Sequence, residues 1–411
     1  MALNPAQAEA VAHRGAPLIV LAGAGTGKTR VITHRVASLL EEGIPPWRIL
    51  AVTFTNRAAR EMQGRIAALC GAVAGLDEMW VGTFHAIGAK ILRRHADRMG
   101  LSSSFAIYDR DDQLQVMRRA IRDAGYDPKF HPPGAMLGHV DRAKQRGLGP
   151  EQAGRLDLPE PVAAAFAEVY AAYQARLAAA EAVDFGDLLR LPVELLRGAS
   201  GGGQLGDLDP LARLRHRFLH VVVDEYQDTN PIQAELVELL AEGAELCVVG
   251  DDDQAIYGWR GADVAQILSF PRRHADAKMV RLEQNYRSTG HILRCADAII
   301  AKNAGRLGKT LYCEAGDGEK VRVVRCLDER DEAAFVARDV AALLDRGVPA
   351  TEIAVFYRTH AQSRVLEQEL RNLHVPTRIY GGLSFFARAE IKDILAYLVL
   401  VVQPHSDAHM V

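Results

Sequence analysis

Short apolar runs and helical periodicities alternate over much of the chain. Leu18–Leu21, Ile49–Phe54, Trp80–Phe84, Val221–Val223 and Leu246–Val249 are apolar segments bounded by Gly, Asp or Thr, as expected of strands buried in a parallel sheet. Between them, Thr29–Leu40 and Ile232–Leu240 carry apolar residues at helical spacing. This alternation predicts an α/β fold with a doubly wound sheet.

The pattern changes twice. From about Phe105 to Ala182 the strand signals stop, and Ala-rich sequence carrying Arg118, Arg119, Arg142, Lys144 and Arg146 predicts a helical insertion. With 103–182 as that insertion, residues 1–102 and 183–276 form the first lobe. A second strand series, Lys278–Leu282, Val321–Cys326, Ile353–Tyr357 and Thr377–Tyr380, with an amphipathic helix over Asp331–Leu344, predicts a second α/β lobe over 277–382. Helical sequence at Ala389–Val402 occupies most of the remainder, 383–411. The run Gly-Ala-Ser-Gly-Gly-Gly at 198–203 has no side chains with which to build a core and predicts a surface loop.

A length of 411 residues suits two or three domains. Against 52 acidic residues stand 49 basic ones, a net charge of -3, and 49% of residues are hydrophobic; this excludes a disordered tail and a histone-like polycation. Nucleic acid stays open, because binding depends on how Lys and Arg cluster, and the expectation is a basic groove. The five cysteines are too sparse for a disulfide framework and lack metal-ligand spacing, which points to a reducing cytosol. The amino terminus shows no secretory signal, and the longest apolar run, Ile394–Val402, is far below the roughly 20 residues that span a bilayer. A cytoplasmic protein without a membrane partner is expected.

The sharpest chemical signal runs from Leu18 to Thr29: a strand, the loop Ala22-Gly23-Ala24-Gly25-Thr26-Gly27-Lys28-Thr29, and a helix. Such a loop lets backbone N–H groups and a helix amino terminus cradle phosphates, with Lys28 reaching the β and γ phosphates of ATP and Thr29 ligating Mg2+. The strict pattern has Gly at position 22, where this chain has Ala. A second strand ends in Val221-Val-Val-Asp-Glu-Tyr-Gln-Asp228, which puts Asp224 and Glu225 at the carboxyl end of a strand, where doubly wound sheets bind ligands. Asp224 is the candidate Mg2+ ligand through a water, and Glu225 the candidate for polarising the attacking water. A third strand end carries Gln254, suited to sensing the γ phosphate, followed by Tyr257, Trp259 and Arg260.

These residues carry a resemblance. The chain is similar to superfamily 1 DNA helicases of the UvrD/PcrA/Rep type, on blocks in matching order: Leu3–Gln7, Ala22–Thr29, Thr53–Ala59, Gly82–Ala86, Asp184–Leu189, Asp224–Asn230, Val249–Ala262, Leu282–Thr289, and Tyr357–Glu367 with Tyr380–Asp393. The resemblance implies two RecA-like lobes, the first with a helical insertion and the second incomplete. It further implies that Gln7 reads the adenine edge, that Tyr286 stacks on the adenine, and that Arg287 on the second lobe reaches the γ phosphate as an arginine finger. Arg30 and Arg35, on the helix after the loop, are placed near the nucleotide; for Arg35 a phosphate contact and a local ion pair are both open.

On the DNA side, Phe54, Tyr257 and Trp259 sit at strand ends where bases can stack. Phe54 is equally readable as a core residue. Thr55, Asn56, Thr83, Phe84, His85 and Arg260 belong to blocks that resemble DNA-contacting ones, with a structural role for His85 as the alternative. The implied activity is ATP-driven 3′ to 5′ movement on single-stranded DNA and at DNA junctions, in repair or replication and alongside proteins of those pathways. Two later family blocks are absent, so the chain is expected to be an amino-terminal part with an unfinished second sheet and reduced ATP turnover. An ATP-gated single-stranded-DNA-binding module without unwinding is the competing reading, and a P-loop kinase is a third.

Overall fold

The computed structural model describes residues 2–71, 74–198 and 210–380, together with 394, 397 and 398. The described residues divide into two compact units, one up to Glu319 and one from Lys320 onward.

The first unit opens with α1 (Pro5–Ala12), whose start is fixed by a capping box. Asn4 accepts from the Gln7 N–H, Gln7 Oε1 accepts from the Asn4 N–H, and Pro5 takes the first helical position. Then come β1 (Leu18–Ala22), α2 (Lys28–Glu41), β2 (Ile49–Thr53), α3 (Asn56–Cys70), β3 (Trp80–Thr83) and α4 (Phe84–Arg94). Two two-residue strands, β4 (Ala106–Ile107) and β5 (Ala182–Val183), bracket α5 (Arg110–Asp123), α6 (Pro133–Gln145) and α7 (Val162–Ala179). The chain continues through α8 (Asp187–Gly198), α9 (Pro210–Arg215), β6 (His220–Val223), α10 (Pro231–Leu240), β7 (Glu245–Gly250), α11 (Ala265–Arg273), β8 (Lys278–Leu282) and α12 (Gly290–Ile300).

Six of the strands form one parallel sheet in the order β3-β2-β6-β7-β1-β8. Its two faces explain the continuous apolar strands. Ile19, Leu50, Val52, Val221, Val223 and Val248 pack into one hydrophobic layer, while Leu18, Val20, Ala51, Val222 and Val249 pack into the other. Parallel pairing brings the turns after β1, β2, β6, β7 and β8 to one edge, where ligand sites of doubly wound sheets lie.

Two expectations differ from the fold, and one residue gains a role that the sequence did not assign. Lys278–Leu282, expected to begin the second lobe, pairs along β1 from Leu18↔Lys278 to Ala22↔Leu282 and completes the first sheet. Its apolar residues Val280 and Leu282 find their layer beside β1. Lys144, read as one of the basic residues of the insertion, is buried, with Nζ 2.7 Å from both Asp184 and Asp187. Its charge is spent on joining α6 to the turn before α8. The segment read as free of strands carries β4 and β5, although the insertion otherwise has its own helical core around Met117, Leu137, Phe166 and Tyr173.

The second unit contains α13 (Glu329–Asp345) and α14 (His360–Asn372), which enclose a small core of Ala337, Val340, Leu370 and Val375. The strands expected at Val321–Cys326, Ile353–Tyr357 and Thr377–Tyr380 do not form among the described residues. Ile353 and Val355 do turn inward toward that core, but Phe356 is 93% and Val323 96% exposed. Alternating sequence specifies an extended segment; a parallel ladder also requires a neighbouring strand in register. The helix expected at Ala389–Val402 lies outside the described residues apart from Ile394, Tyr397 and Leu398, and so does most of the glycine run at 198–203.

Candidate nucleotide and nucleic-acid site

The turn after β1 is a phosphate-sized cradle. Gly25 and Gly27 have positive φ values of 71° and 90°, which strain any residue with a Cβ, and a Cβ on Gly27 would lie 2.7 Å from Gln7 Nε2. Gly27 caps α2, so Lys28 and Thr29 occupy its first turn and Arg30 follows them. The backbone N–H groups and helix amino terminus suit a chain of phosphates. Gln7 is buried with Nε2 donating to Thr26 O at 2.9 Å. Asn4 Nδ2 donates to Tyr286 Oη at 3.0 Å and to Gln284 Oε1 at 3.1 Å, so Asn4 links the Gln7 and Tyr286 sides of the loop.

β6 ends at Asp224 and Glu225. Glu225 takes a left-handed backbone (φ 52°, ψ 43°), a strained conformation that directs the turn at the sheet edge. Its Oε2 lies 3.6 Å from Lys28 Nζ and accepts from Gln227 Nε2 at 2.9 Å. Burial, then the Glu225 charge, pushes the Asp224 carboxyl up to about 7, and the same two causes push Asp228 up to about 6. Asp228 Oδ1 and Thr53 Oγ1 are buried without a hydrogen-bond partner. Orphaned oxygens and a reluctant carboxylate, together with Thr29, fit a hydrated Mg2+. Gln254 Nε2 donates to Asp251 Oδ2 at 2.6 Å.

One cavity of about 850 Å3 joins this region to aromatic side chains: Thr29, Asp224, Glu225 and Gln254 line it, and so do Phe54, His85, Phe185 and Tyr257. Phe54 and Tyr257 stack at 6.4 Å between centroids with 15° between planes. His85 meets Phe185 edge-on at 5.8 Å. Burial lowers the His85 pKa, so at neutral pH it offers an uncharged ring. Trp259 is 75% exposed, and the Arg260 guanidinium lies 4.5 Å above it and 5.4 Å from the Tyr257 ring.

A model of the UvrD/REP helicase N-terminal domain matches residues 3–275, and one of the UvrD-like helicase C-terminal domain matches residues 280–411. The chain belongs to the UvrD/Rep helicase family. It is 44% identical over 413 residues to "ATP-dependent DNA helicase PcrA" of Leuconostoc citreum, covering 99% of this chain and 53% of that protein. To the PcrA helicase of Bacillus subtilis it is 43% identical, covering 98% and 54%, and to "DNA helicase II" of Escherichia coli 44%, covering 99% and 55%. The chain thus spans about half the length of these curated relatives.

Within this UvrD/Rep chain, several expected contacts are relocated. Arg35 is buried with its guanidinium on the Ala10 and His13 carbonyls and near Glu245, so it braces the end of α1 rather than phosphates. Phe84 is 2% exposed in the main core and meets Phe54 edge-on at 6.2 Å; it supports a stacking residue and cannot itself face DNA. Thr83 and Thr55 accept the Ala86 and Ala58 N–H groups as helix caps, with Thr83 buried, and Asn56 is the exposed first residue of α3. Arg287 was expected to arrive on the second lobe. Instead it follows β8 directly, and its Cβ lies 2.5 Å from where a Cβ on Gly25 would be, while the Tyr286 N–H donates to Gly25 O.

The expected basic groove is not found in the cavity either. Its cations, Lys144 and Arg260, are outnumbered by Asp141, Asp224, Glu225, Asp228 and Asp253. Arginines 48, 94, 213 and 217 instead line a separate depression beside Trp47. Asn4, Phe185 and Asn285 join the site without having been singled out in the sequence: Phe185 lines the cavity and Asn285 Nδ2 donates to Ala24 O. Asn4 carried a signal in the Asn-Pro-Ala-Gln capping box, and the other two lie within the blocks Asp184–Leu189 and Leu282–Thr289.

Proposed function

We propose that this chain is the motor portion of an ATP-dependent DNA helicase or translocase, hydrolysing ATP with Mg2+ and moving 3′ to 5′ on single-stranded DNA and at DNA junctions during repair or replication. The observation that carries this reading is the shared cavity, in which Thr29, Asp224, Glu225 and Gln254 open onto the same space as stacked Phe54 and Tyr257. The acidic lining favours a hydrated cation at one end, and the aromatic end favours bases over phosphates. The names of the PcrA relatives and of DNA helicase II support the same class.

In this reading Lys28 leaves Glu225 for the phosphates, and Glu225 accepts the proton of the attacking water, as a carboxylate base within hydrogen-bond reach does. Gln254 orients that water, and Arg287, already against Gly25, supplies positive charge at the γ phosphate. Gln7 and Tyr286 flank the adenine. Thr29 and Asp224 hold Mg2+, which neutralises phosphate charge when bound. Tyr257 and Phe54 hold a base in a sequence-tolerant stack, so changes at Gln254 pass to the DNA through three residues of backbone.

The second reading, an ATP-gated DNA-binding module, differs only in lacking strand separation. Lys28→Ala should abolish ATP hydrolysis by the 411-residue chain while leaving single-strand binding largely intact. Strand separation measured beside turnover then discriminates: hydrolysis with unwinding supports the motor, hydrolysis without it supports the module, and ATP turnover that survives Lys28→Ala contradicts both.

A further inference from the structure

The strap Arg306–Tyr312 contains none of the residues expected to bind nucleotide or DNA, yet it touches three functional loops at once. Lys309 Nζ is inserted among three carboxylates, 2.7 Å from Asp251, 2.8 Å from Asp252 and 2.6 Å from Asp253, with its side chain only 2% exposed. Arg306 adds a bidentate pair to Asp253 at 2.6 and 2.7 Å, and the Leu307 N–H donates to Asp252. These three aspartates are grouped tightly enough to hold a metal ion. The ammonium takes that place.

On its other side the strap reaches the nucleotide loop. The Thr310 N–H donates to the Glu283 carboxylate, and Tyr312 exchanges backbone hydrogen bonds with Glu283 and Asn285, just before Tyr286 and Arg287. Leu311 lies over Gly23, 2.4 Å from where a Cβ would be. Asp251, held by Lys309, is the acceptor for Gln254 Nε2, and Gln254 leads directly into Ile256 and Tyr257.

We propose that Lys309 is a positioning residue that fixes Gln254 through Asp251 and, through the strap, ties the phosphate loop and the Arg287 turn to the aromatic loop at Tyr257–Arg260. This rests on the motor reading for what the coupled loops do. Burial alone would favour the neutral amine, but the hydrogen bonds that the ammonium donates to Asp251 and its neighbours, with their charges, outweigh it and hold the Lys309 pKa above the ordinary lysine value, so the clamp stays charged across the working pH range. A group acting through another is a lever on rate rather than on nucleotide affinity, because the ion-pair partners of the Lys309 ammonium are Asp251, Asp252 and Asp253, not the phosphate cradle or Gln7.

The test uses the 411-residue chain with Lys309→Met, Lys309→Arg, Gln254→Ala and the double variant Lys309→Met/Gln254→Ala, plus Lys309→Met/Asp252→Asn to offset the stranded charge. Kinetic readout is the DNA-stimulated ATPase. Lys309→Met is expected to lower kcat by about 10- to 100-fold, as loss of a supporting partner does, with KM for ATP within about twofold. Lys309→Arg recovers part of the rate, and Lys309→Met costs little more once Gln254 is already Ala.

Hydrogen exchange of residues 251–260 with and without a non-hydrolysable ATP analogue gives a readout independent of turnover. The analogue should slow exchange there in the wild-type chain and fail to do so in Lys309→Met and in its Asp252→Asn companion. An unchanged kcat, fully additive losses with Gln254→Ala, or loss of nucleotide binding in step with rate would each overturn the proposal. Absence of hydrolysis by the wild-type chain would overturn the motor reading instead, while the exchange experiment still decides the link through Lys309.

Discussion

Lys28 Nζ faces Glu225 Oε2 at 3.6 Å, so the cation of the phosphate loop and the carboxylate proposed as base are partners before any nucleotide arrives. A phosphate chain competes for the lysine and releases the carboxylate. Glu225→Gln keeps the shape and removes the proton acceptor. It should lower kcat for ATP hydrolysis by about 10²- to 10⁴-fold while equilibrium binding of a fluorescent ATP analogue stays within a few fold.

The pair Asp224 and Glu225 also sets a pH dependence. The Asp224 carboxyl titrates near 7 in the folded chain because of burial and then Glu225, against an ordinary aspartate value of 3.8 when unfolded. A raised folded pKa gives stability that is complete below the unfolded value and is lost as pH rises through the folded one. The metal-free wild-type chain should therefore lose stability between about pH 4 and 7, and Asp224→Asn should flatten that loss. Thermal melts of both proteins in a chelator, from pH 4.5 to 8, check it. Addition of Mg2+ above pH 7 should raise the wild-type Tm more than that of the variant.

Stacking makes a separable prediction. Tyr257→Ala removes one ring of the Phe54–Tyr257 stack, and a base-stacking ring is worth about 1 to 3 kcal/mol, so affinity for a thymidine oligonucleotide should fall by roughly 5- to 150-fold. Phe84→Ala should behave differently. It empties a core position and should cost about 3 to 5 kcal/mol of stability by denaturant titration.

How much of this was legible in the sequence divides along physical lines. All six sheet strands are located in the sequence to within two residues, because their apolar segments are short and mostly bounded by Gly, Asp or Thr, which favours a buried strand over a helix. The glycine loop, Asp224 and Glu225 were legible because their chemistry is local. Lys278–Leu282 was placed in the wrong lobe since periodicity does not say which neighbour a strand joins, and the pairing with β1 decided it. Phe84 differs from its expected DNA-facing role for the opposite reason, and of the two roles open to Arg35 the structure shows the local ion pair with Glu245. Their residue types suit a ligand, but burial depends on what packs over them.

Lys144 shows the same limit and gives a stability test. In the sequence it is one basic residue among several in the insertion, and in the fold it is enclosed by Asp184, Asp187 and the Tyr173 hydroxyl that donates to Asp184. Removing one side of a buried ion pair strands the other, so Lys144→Met should destabilise the chain by about 3 to 5 kcal/mol. Adding Asp184→Asn to that variant should return part of the loss, measured by urea unfolding.

The central claim is that nucleotide chemistry and base stacking share one cavity and act on each other. ATP turnover by the 411-residue chain, measured with Mg2+ across a titration of a single-stranded thymidine oligonucleotide, tests it most directly. The account predicts a slow rate without DNA that rises severalfold to saturation as the oligonucleotide binds. Turnover that ignores DNA at saturating concentrations would contradict it.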